Sequence, residues 1–288
     1  MKRCLACGRS FEAHDWTCPG CGGSPRDGEF LSFAPVLAAS REAFDSRWFP
    51  ALAAREAGSF WFRGRNRLIV WALRRYFPLA RSFLEVGCGT GFVLAGIART
   101  SREMALAGGD LLTAGLGFAR ERAPRAALYQ FDARRLPFDR EFDVVGAFDV
   151  LEHVDEDSEV LSEMTRAARP GGGVLVTVPQ HGWLRSAEDD AGAHRRRYSR
   201  NELVEKLTRA GLSVERVTSF VSVLLPIMAA SRLSRRAGSR DVDSLRELSL
   251  PRLVDAAFEK TLAAELAVIR AGVSLPAGGS LLAVARRP

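Results

Sequence analysis

A short apolar run, Phe83-Leu-Glu-Val86, breaks directly into Gly87-Cys-Gly-Thr-Gly91, and this junction limits what the chain can fold into more than any other stretch. The run has the length of a buried strand. Glycines at 87, 89 and 91 let the backbone turn tightly and lie against a ligand with no Cβ in the way. The apolar stretch near 92–100 then reads as a helix opening from the turn. Strand, glycine turn and helix make the first half of a βαβ unit, which belongs in a parallel sheet covered by helices. The spacing departs from a dinucleotide fingerprint, because Phe92 stands where that pattern places its last glycine. Glu85, two residues before the first glycine, would crowd a pyrophosphate but suits a cationic, amino-bearing ligand such as S-adenosylmethionine (SAM).

The alternation continues downstream. Met104–Gly108, Ala127–Phe131, Val144–Phe148 and Val174–Val178 read as strands, with helices predicted near 113–123 and 156–168. Arg169-Pro-Gly-Gly-Gly173 reads as the stop of the last helix. Ser199-Arg-Asn-Glu202 reads as a capping box for a helix that Gly211 closes. Leu212–Phe220 and Ser280–Ala285 are β-like, giving seven strand candidates. Before Ser82, the stretch 36–77 reads as helical and is dense in aromatics, among them Phe44, Trp48, Phe49, Phe60, Trp61, Phe62 and Trp71. An apolar segment lies at 221–233, and after Pro251 a helix carries Val254, Phe258, Leu262, Leu266 and Ile269 on one stripe. The expected organisation is a short Cys-paired module over 1–28, a helical lid and linker over 29–80, and a ligand-binding α/β domain over 81–288 with an apolar helical insert at about 221–278.

Two further acids fall at strand ends in register with the glycine turn. Asp110 closes the second strand, where a carboxylate can accept both ribose hydroxyls, and Asp132 follows the third, where it can accept from an adenine amino group. Ligands of open α/β sheets bind along that edge. Leu84-Glu-Val-Gly-Cys-Gly-Thr-Gly91, Gly109-Asp110, Asp132-Ala-Arg-Arg-Leu-Pro-Phe138, Phe142 through Val154 and Arg169-Pro-Gly-Gly-Gly173 together resemble class I SAM-dependent methyltransferases, nearest in flavour to the group that includes the ubiquinone-pathway O-methyltransferases. The resemblance covers about 80–220 and the final strand. It implies a Rossmann-like seven-stranded α/β sheet with an antiparallel last strand and helices on both faces. The cofactor residues expected on these grounds are Glu85, Gly87, Cys88, Gly89, Gly91, Asp110, Leu111, Asp132, Ala133, Phe148 and Asp149, with Cys88 read as packing within the turn.

Methyl transfer from a sulfonium depends on alignment and exclusion of water, and an acceptor that starts protonated also needs a base. His153 follows the fourth strand, His181 follows the fifth, and His194 lies in Ala193-His-Arg-Arg-Arg-Tyr198, a loop expected to overhang the pocket; these three are the catalytic candidates. The arginines beside His194 could grip an anionic substrate. The resemblance also associates Asp149, Glu152 and His153 with a divalent cation.

Cys4-x2-Cys7-Gly8 and Cys18-x2-Cys21-Gly22 form two matching knuckles, the pattern of a closed tetrahedral zinc site, which makes 1–28 a zinc-ribbon-like module; the spacing also leaves iron open. A module this small does not fold without its metal. It leaves three roles open: docking to RNA, docking to a partner, or bracing the fold. The net charge of +7 invites the RNA reading, yet only Lys2, Lys206 and Lys260 are lysines and the arginines are interleaved with acids. No leader or bilayer-length apolar run is evident, so the expected location is cytoplasmic. The expected acceptor is a small or lipid-linked molecule; rRNA or tRNA methylation and a non-catalytic scaffold are the alternatives. The apolar insert reads either as a greasy wall or peripheral membrane contact, or equally as extra core or a dimer face. The oligomeric state is not readable.

Overall fold

The structure is a computed structural model that describes residues 1–38, 46–236 and 250–288. Phe44 of the lid stretch and residues 237–249 of the insert lie outside the described residues. A small hairpin comes first, β1 (Lys2–Arg3) with β2 (Ser10–Phe11), followed by β3 (Leu31–Ser32), α1 (Pro35–Ala38), α2 (Trp48–Arg55) and α3 (Phe60–Tyr76). The alternating portion then runs β4 (Ser82–Val86), α4 (Phe92–Thr100), β5 (Ala105–Asp110), α5 (Thr113–Arg122), β6 (Ala127–Gln130), β7 (Phe142–Phe148), α6 (Asp157–Ala167) and β8 (Ala168–Pro179). After it come α7 (Ala187–Ala191), α8 (Arg200–Arg209), β9 (Ser213–Phe220), α9 (Leu225–Arg236), α10 (Arg252–Arg270) and β10 (Ser280–Arg286).

The main sheet has the order β3-β6-β5-β4-β7-β8-β10-β9. The pairs from β3 through β8 are parallel, and β10 runs antiparallel to both neighbours. Side chains alternate across this sheet, as the pleat requires. Leu84, Val86, Val145, Val174 and Val176 face α6 and α8. Phe83, Val144, Phe148 and Leu175 face α3, α4, α5 and α10. Helices therefore cover both faces, and the loops at the carboxyl ends of β4 to β8 share one edge.

Two local features differ from the sequence reading, and a third, the insert, takes one of the alternatives it left open. The sheet has an eighth strand, β3, in which Leu31 and Ser32 pair with Tyr129 and Gln130. The Ser32 hydroxyl donates to the Gln130 side chain at 2.5 Å. Two residues have no periodicity, so nothing in the pattern announced them. Arg169–Gly173 extends β8 instead of acting only as a stop. A Cβ on Gly172 or Gly173 would lie 2.3 Å from the carbonyl oxygen of Asp143 or Ala285, so glycine here allows strands to pass closely. The insert is partly core: Leu262, Leu266 and Ile269 are buried, and Phe258 meets Phe60 at 5.2 Å, so α10 packs on α3. Glu265 accepts backbone N–H bonds from Val221, Ser222 and Val223 at 2.6, 2.7 and 3.1 Å, which ties the end of β9 to α10.

Candidate active site and metal centre

The three acids stand at or just beyond the carboxyl ends of the neighbouring strands β4, β5 and β6. Glu85 is buried at the end of β4, and its Oε2 has no hydrogen-bond partner. Burial pushes its carboxyl up to about 8 against the pull of Arg65. Asp110, at the end of β5, accepts the backbone N–H of Gly89 and of Leu112, each at 2.9 Å. One carboxylate thus fastens the glycine turn to the loop that opens α5, and burial raises its pKa. Gly91 caps α4 with φ of 74°. A Cβ there would stand 2.7 Å from the Ala119 Cα, so α5 packs directly on the turn. Asp132, beyond β6, accepts the Arg134 N–H at 2.9 Å and pairs with its guanidinium at 2.9 Å.

The other expected cofactor residues divide. Gly87, Gly89 and the Leu111 backbone lie in this edge, and the Leu111 carbonyl accepts from Gln130 at 3.0 Å. Ala133 is half-buried beside Asp132. Cys88 is buried in the core beneath the turn, and burial holds its thiol well above the ordinary value. The Phe148 ring stacks on Phe83 at 6.4 Å inside the core, leaving its backbone as the part that can meet a ligand. Asp149 adopts a left-handed φ of 58° and pairs with Arg65.

Two charged residues near Glu85 escaped the sequence reading, both from the stretch before β4. Arg65 reaches from α3 into the crevice, its guanidinium 4.4 Å from the Trp61 ring. Burial lowers its pKa to about 10, while Glu85, Glu56 and Glu152 favour its charge. Glu56 is buried between α2 and α3, accepts the Thr90 hydroxyl at 2.7 Å and pairs with Arg122. For Arg65 the run Phe60-Trp-Phe-Arg-Gly-Arg-Asn-Arg-Leu-Ile69 held the signal: a cation on an otherwise apolar helical face must be paired if it is buried.

Of the three histidines, His153 and His194 meet, with ring centroids 4.8 Å apart. His181 does not join them and tilts against Trp183 at 5.5 Å. Glu152 completes the group: ligand atoms of Glu152, His153 and His194 all lie within 4.8 Å of one another. Glu152 is fully buried with both carboxylate oxygens unpartnered, and burial pushes it up to about 8. Burial and the neighbouring His194 hold His153 down to about 4. His194 Nδ1 lies 2.9 Å from buried Asp189, which leaves Nε2 as its other polar face. Of the residues that the resemblance associates with a cation, Asp149 is paired with Arg65, and the group that meets is Glu152, His153 and His194. The three loop arginines are also engaged: Arg195 with Asp155 at 3.7 Å, Arg196 with Asp157 at 3.3 Å and Arg197 with Asp189 at 2.7 Å. Pairing of this kind leaves little free charge to grip an anion. His194 lines an open depression of about 800 Å³ together with Asp155, Arg185, Asp190 and Glu202.

In the N-terminal module the Cys4 and Cys21 sulfurs lie 3.5 Å apart, and those of Cys7 and Cys18 3.7 Å apart. Zinc–sulfur bonds of about 2.3 Å in a tetrahedron give sulfur–sulfur edges of about 3.8 Å, so the four thiols fit that ion. The knuckles close through Gly8 and Gly22 N–H bonds to the Cys4 and Cys18 carbonyls, at 2.8 and 2.9 Å. The Cys7 amide, opposed by burial and assisted by Ala6, lowers the Cys4 thiol.

A mixed sheet with this strand order, a glycine turn after its central strand and acids at three consecutive strand ends define a class I SAM-dependent methyltransferase. The comparisons agree. The methyltransferase-domain family profile matches residues 84–176. A Mycolicibacterium smegmatis protein named as a SAM-dependent methyltransferase is 31% identical over 228 residues, 78% of this chain and 83% of its own. The chain belongs to the SAM-dependent methyltransferase family. A Mycobacterium ulcerans phthiotriol/phenolphthiotriol dimycocerosates methyltransferase is 32% identical over 169 residues, 57% of this chain and 62% of its own. The fold also matches a chain from the Haloferax volcanii complex of the Trm112 methyltransferase activator with a methyltransferase: TM-score 0.57, 21% identity, 85% of this chain and 99% of that one.

Proposed function

We propose that this enzyme methylates a hydroxyl of a small or lipid-linked acceptor, with His194 as the general base. The observation that carries the reading is the Asp189–His194 pair, set against His153 and Glu152 where β7 and β8 end. SAM supplies an electrophilic methyl on a sulfonium. Glu85 would receive its amino group and Arg65 its carboxylate, Asp110 the ribose hydroxyls, and Asp132 the adenine amino group. The Asp189 carboxylate fixes the His194 ring so that Nε2 can take the acceptor proton. The aromatic lid, pinned through Glu56 and Arg65, excludes water. The lipid-linked part is supported by relatives whose names refer to lipid acceptors, among them the phthiotriol enzyme. Among the described residues no helix is long and apolar enough to cross a membrane.

A second reading rests on the orphaned Glu152. The same three side chains could hold a divalent cation, with Glu152, His153 and His194 as ligands and Asp189 orienting His194 from behind. There the ion would polarise the acceptor oxygen. Zinc in the four-cysteine module is likewise a proposal, carried by the sulfur spacing.

The test is transfer of label from SAM into the RNA, lipid and small-molecule fractions of a lysate. Label in the lipid or small-molecule fraction is expected, and His194→Ala should lower kcat by about 10²-fold or more. Label confined to RNA, with salt-dependent binding, would replace this reading with nucleic-acid methylation.

A further inference from the structure

The cysteine module does not stand off from the catalytic domain. The backbone N–H of Arg3 donates to the Pro137 carbonyl at 2.9 Å, and that of Asp139 donates to the Met1 carbonyl at 3.0 Å. Arg135 donates to the Leu5 carbonyl, next to Cys4, at 2.8 Å. The Ser10 hydroxyl donates to Asp139 at 2.5 Å. The Arg3 guanidinium meets Glu163 of α6 at 3.0 Å, and the other Glu163 oxygen accepts the Leu136 N–H at 2.7 Å. Trp16, two residues before Cys18, sits edge-on to Phe33, Tyr129 and Phe138, at 4.8, 5.6 and 5.8 Å. The module and α6 therefore grip one segment, 135–139, from two sides. That segment begins three residues after Asp132, and the turn between them closes through the Arg135 N–H and the Asp132 carbonyl at 2.9 Å.

We infer that the four-cysteine module is a clamp on the adenine side of the cofactor crevice, so that zinc occupancy of Cys4, Cys7, Cys18 and Cys21 sets the affinity for SAM. The inference rests on the proposed role of Asp132. Its physical basis is that the module's own core contains only Cys4, Phe11 and Cys18, too little apolar surface to hold a shape without the metal. Losing the ion releases Arg3, Leu5 and Trp16 together, and residues 132–139 keep the bonds to Glu163 and Arg166 of α6 and the contacts of the Phe138 ring with Tyr129, Phe131 and Phe142. Two of the module's four cations are engaged rather than free: Lys2 donates to the carbonyls of Ala13, His14 and Asp15 and lies over Trp16, while Arg3 is held by Glu163; Arg9 and Arg26 are exposed. This arrangement favours bracing over RNA docking.

The experiment strips zinc from the full chain with a chelator under reducing conditions. It then measures zinc per chain, SAM affinity by calorimetry and hydrogen exchange across the backbone. The expected result is a Kd raised about tenfold or more, with exchange accelerated at 132–139 and β4 and β7 still protected; added zinc reverses both. Should the stripped chain unfold outright, the double variant Arg3→Ala/Arg135→Ala keeps the cysteines and zinc while cutting two grips, and it should show the same pair of changes. Unchanged affinity and unchanged exchange at 132–139 in that zinc-loaded variant would overturn the inference, as would loosening spread evenly over the sheet. If the zinc-loaded native chain bound no SAM, the cofactor reading itself would fail, and the exchange pattern alone would still decide the clamp.

Discussion

Glu152 and His153 are adjacent in sequence, yet burial drives their pKa values in opposite senses, up to about 8 and down to about 4. Both shifts favour neutral groups, and each has a definite consequence for stability. Below the ordinary carboxyl range Glu152 is protonated in both folded and unfolded states. As pH rises from there through about 8, the folded state keeps a proton that the unfolded state has released, so stability falls across that window. His153 does the reverse: its contribution is complete above the ordinary imidazole value and is lost as pH falls through about 4. Glu152→Gln should therefore flatten the decline of Tm between about pH 5 and 8, measured by thermal melts; a slope equal to that of the native chain would refute the assignment. Arg65 makes a separate prediction. If it receives the carboxylate of SAM, Arg65→Ala should weaken SAM binding by about 10- to 100-fold, the range for a charge-assisted hydrogen bond, and calorimetry with SAM would read it.

At the scale of elements, the glycine turn depends on the helix behind it. Gly91→Ala forces a left-handed φ on a residue with a side chain, at about 1–2 kcal/mol, and drives the new Cβ into the Ala119 backbone. The variant should lose stability by at least that amount in urea titrations, with loosened packing between α4 and α5. The lid is held differently, by the Thr90 and Arg122 bonds to Glu56. Glu56→Ala should speed SAM dissociation and hydrogen exchange over 48–62 while the sheet stays protected; stopped-flow release at the native rate would count against a pinned lid. The helix boundaries were largely legible, because 3.6-residue periodicity and caps are local. Ser199 does accept the Glu202 N–H, at 3.2 Å. The lid's contribution was not legible, since Arg65 and Glu56 reach the crevice across long sequence separations that no local pattern encodes.

For the whole molecule, β10 is decisive because it lies inside the sheet, pairing with β8 through seven residues on one side and with β9 on the other. Truncation after Gly279 should therefore yield a chain that fails to melt cooperatively, by far-UV circular dichroism, instead of one that merely frays. The sequence by itself determined the parallel α/β sheet, the glycine turn, the acids at three strand ends and the pairing of cysteine hooks, because each is written in short-range periodicity or spacing. Only the tertiary structure decided that Arg65 takes Asp149, that His194 rather than His181 joins His153, that the insert helix α10 serves as core against α3, and that the cysteine module grips 135–139. Those outcomes follow from which buried charges find partners and which apolar faces meet, and both depend on how distant segments pack.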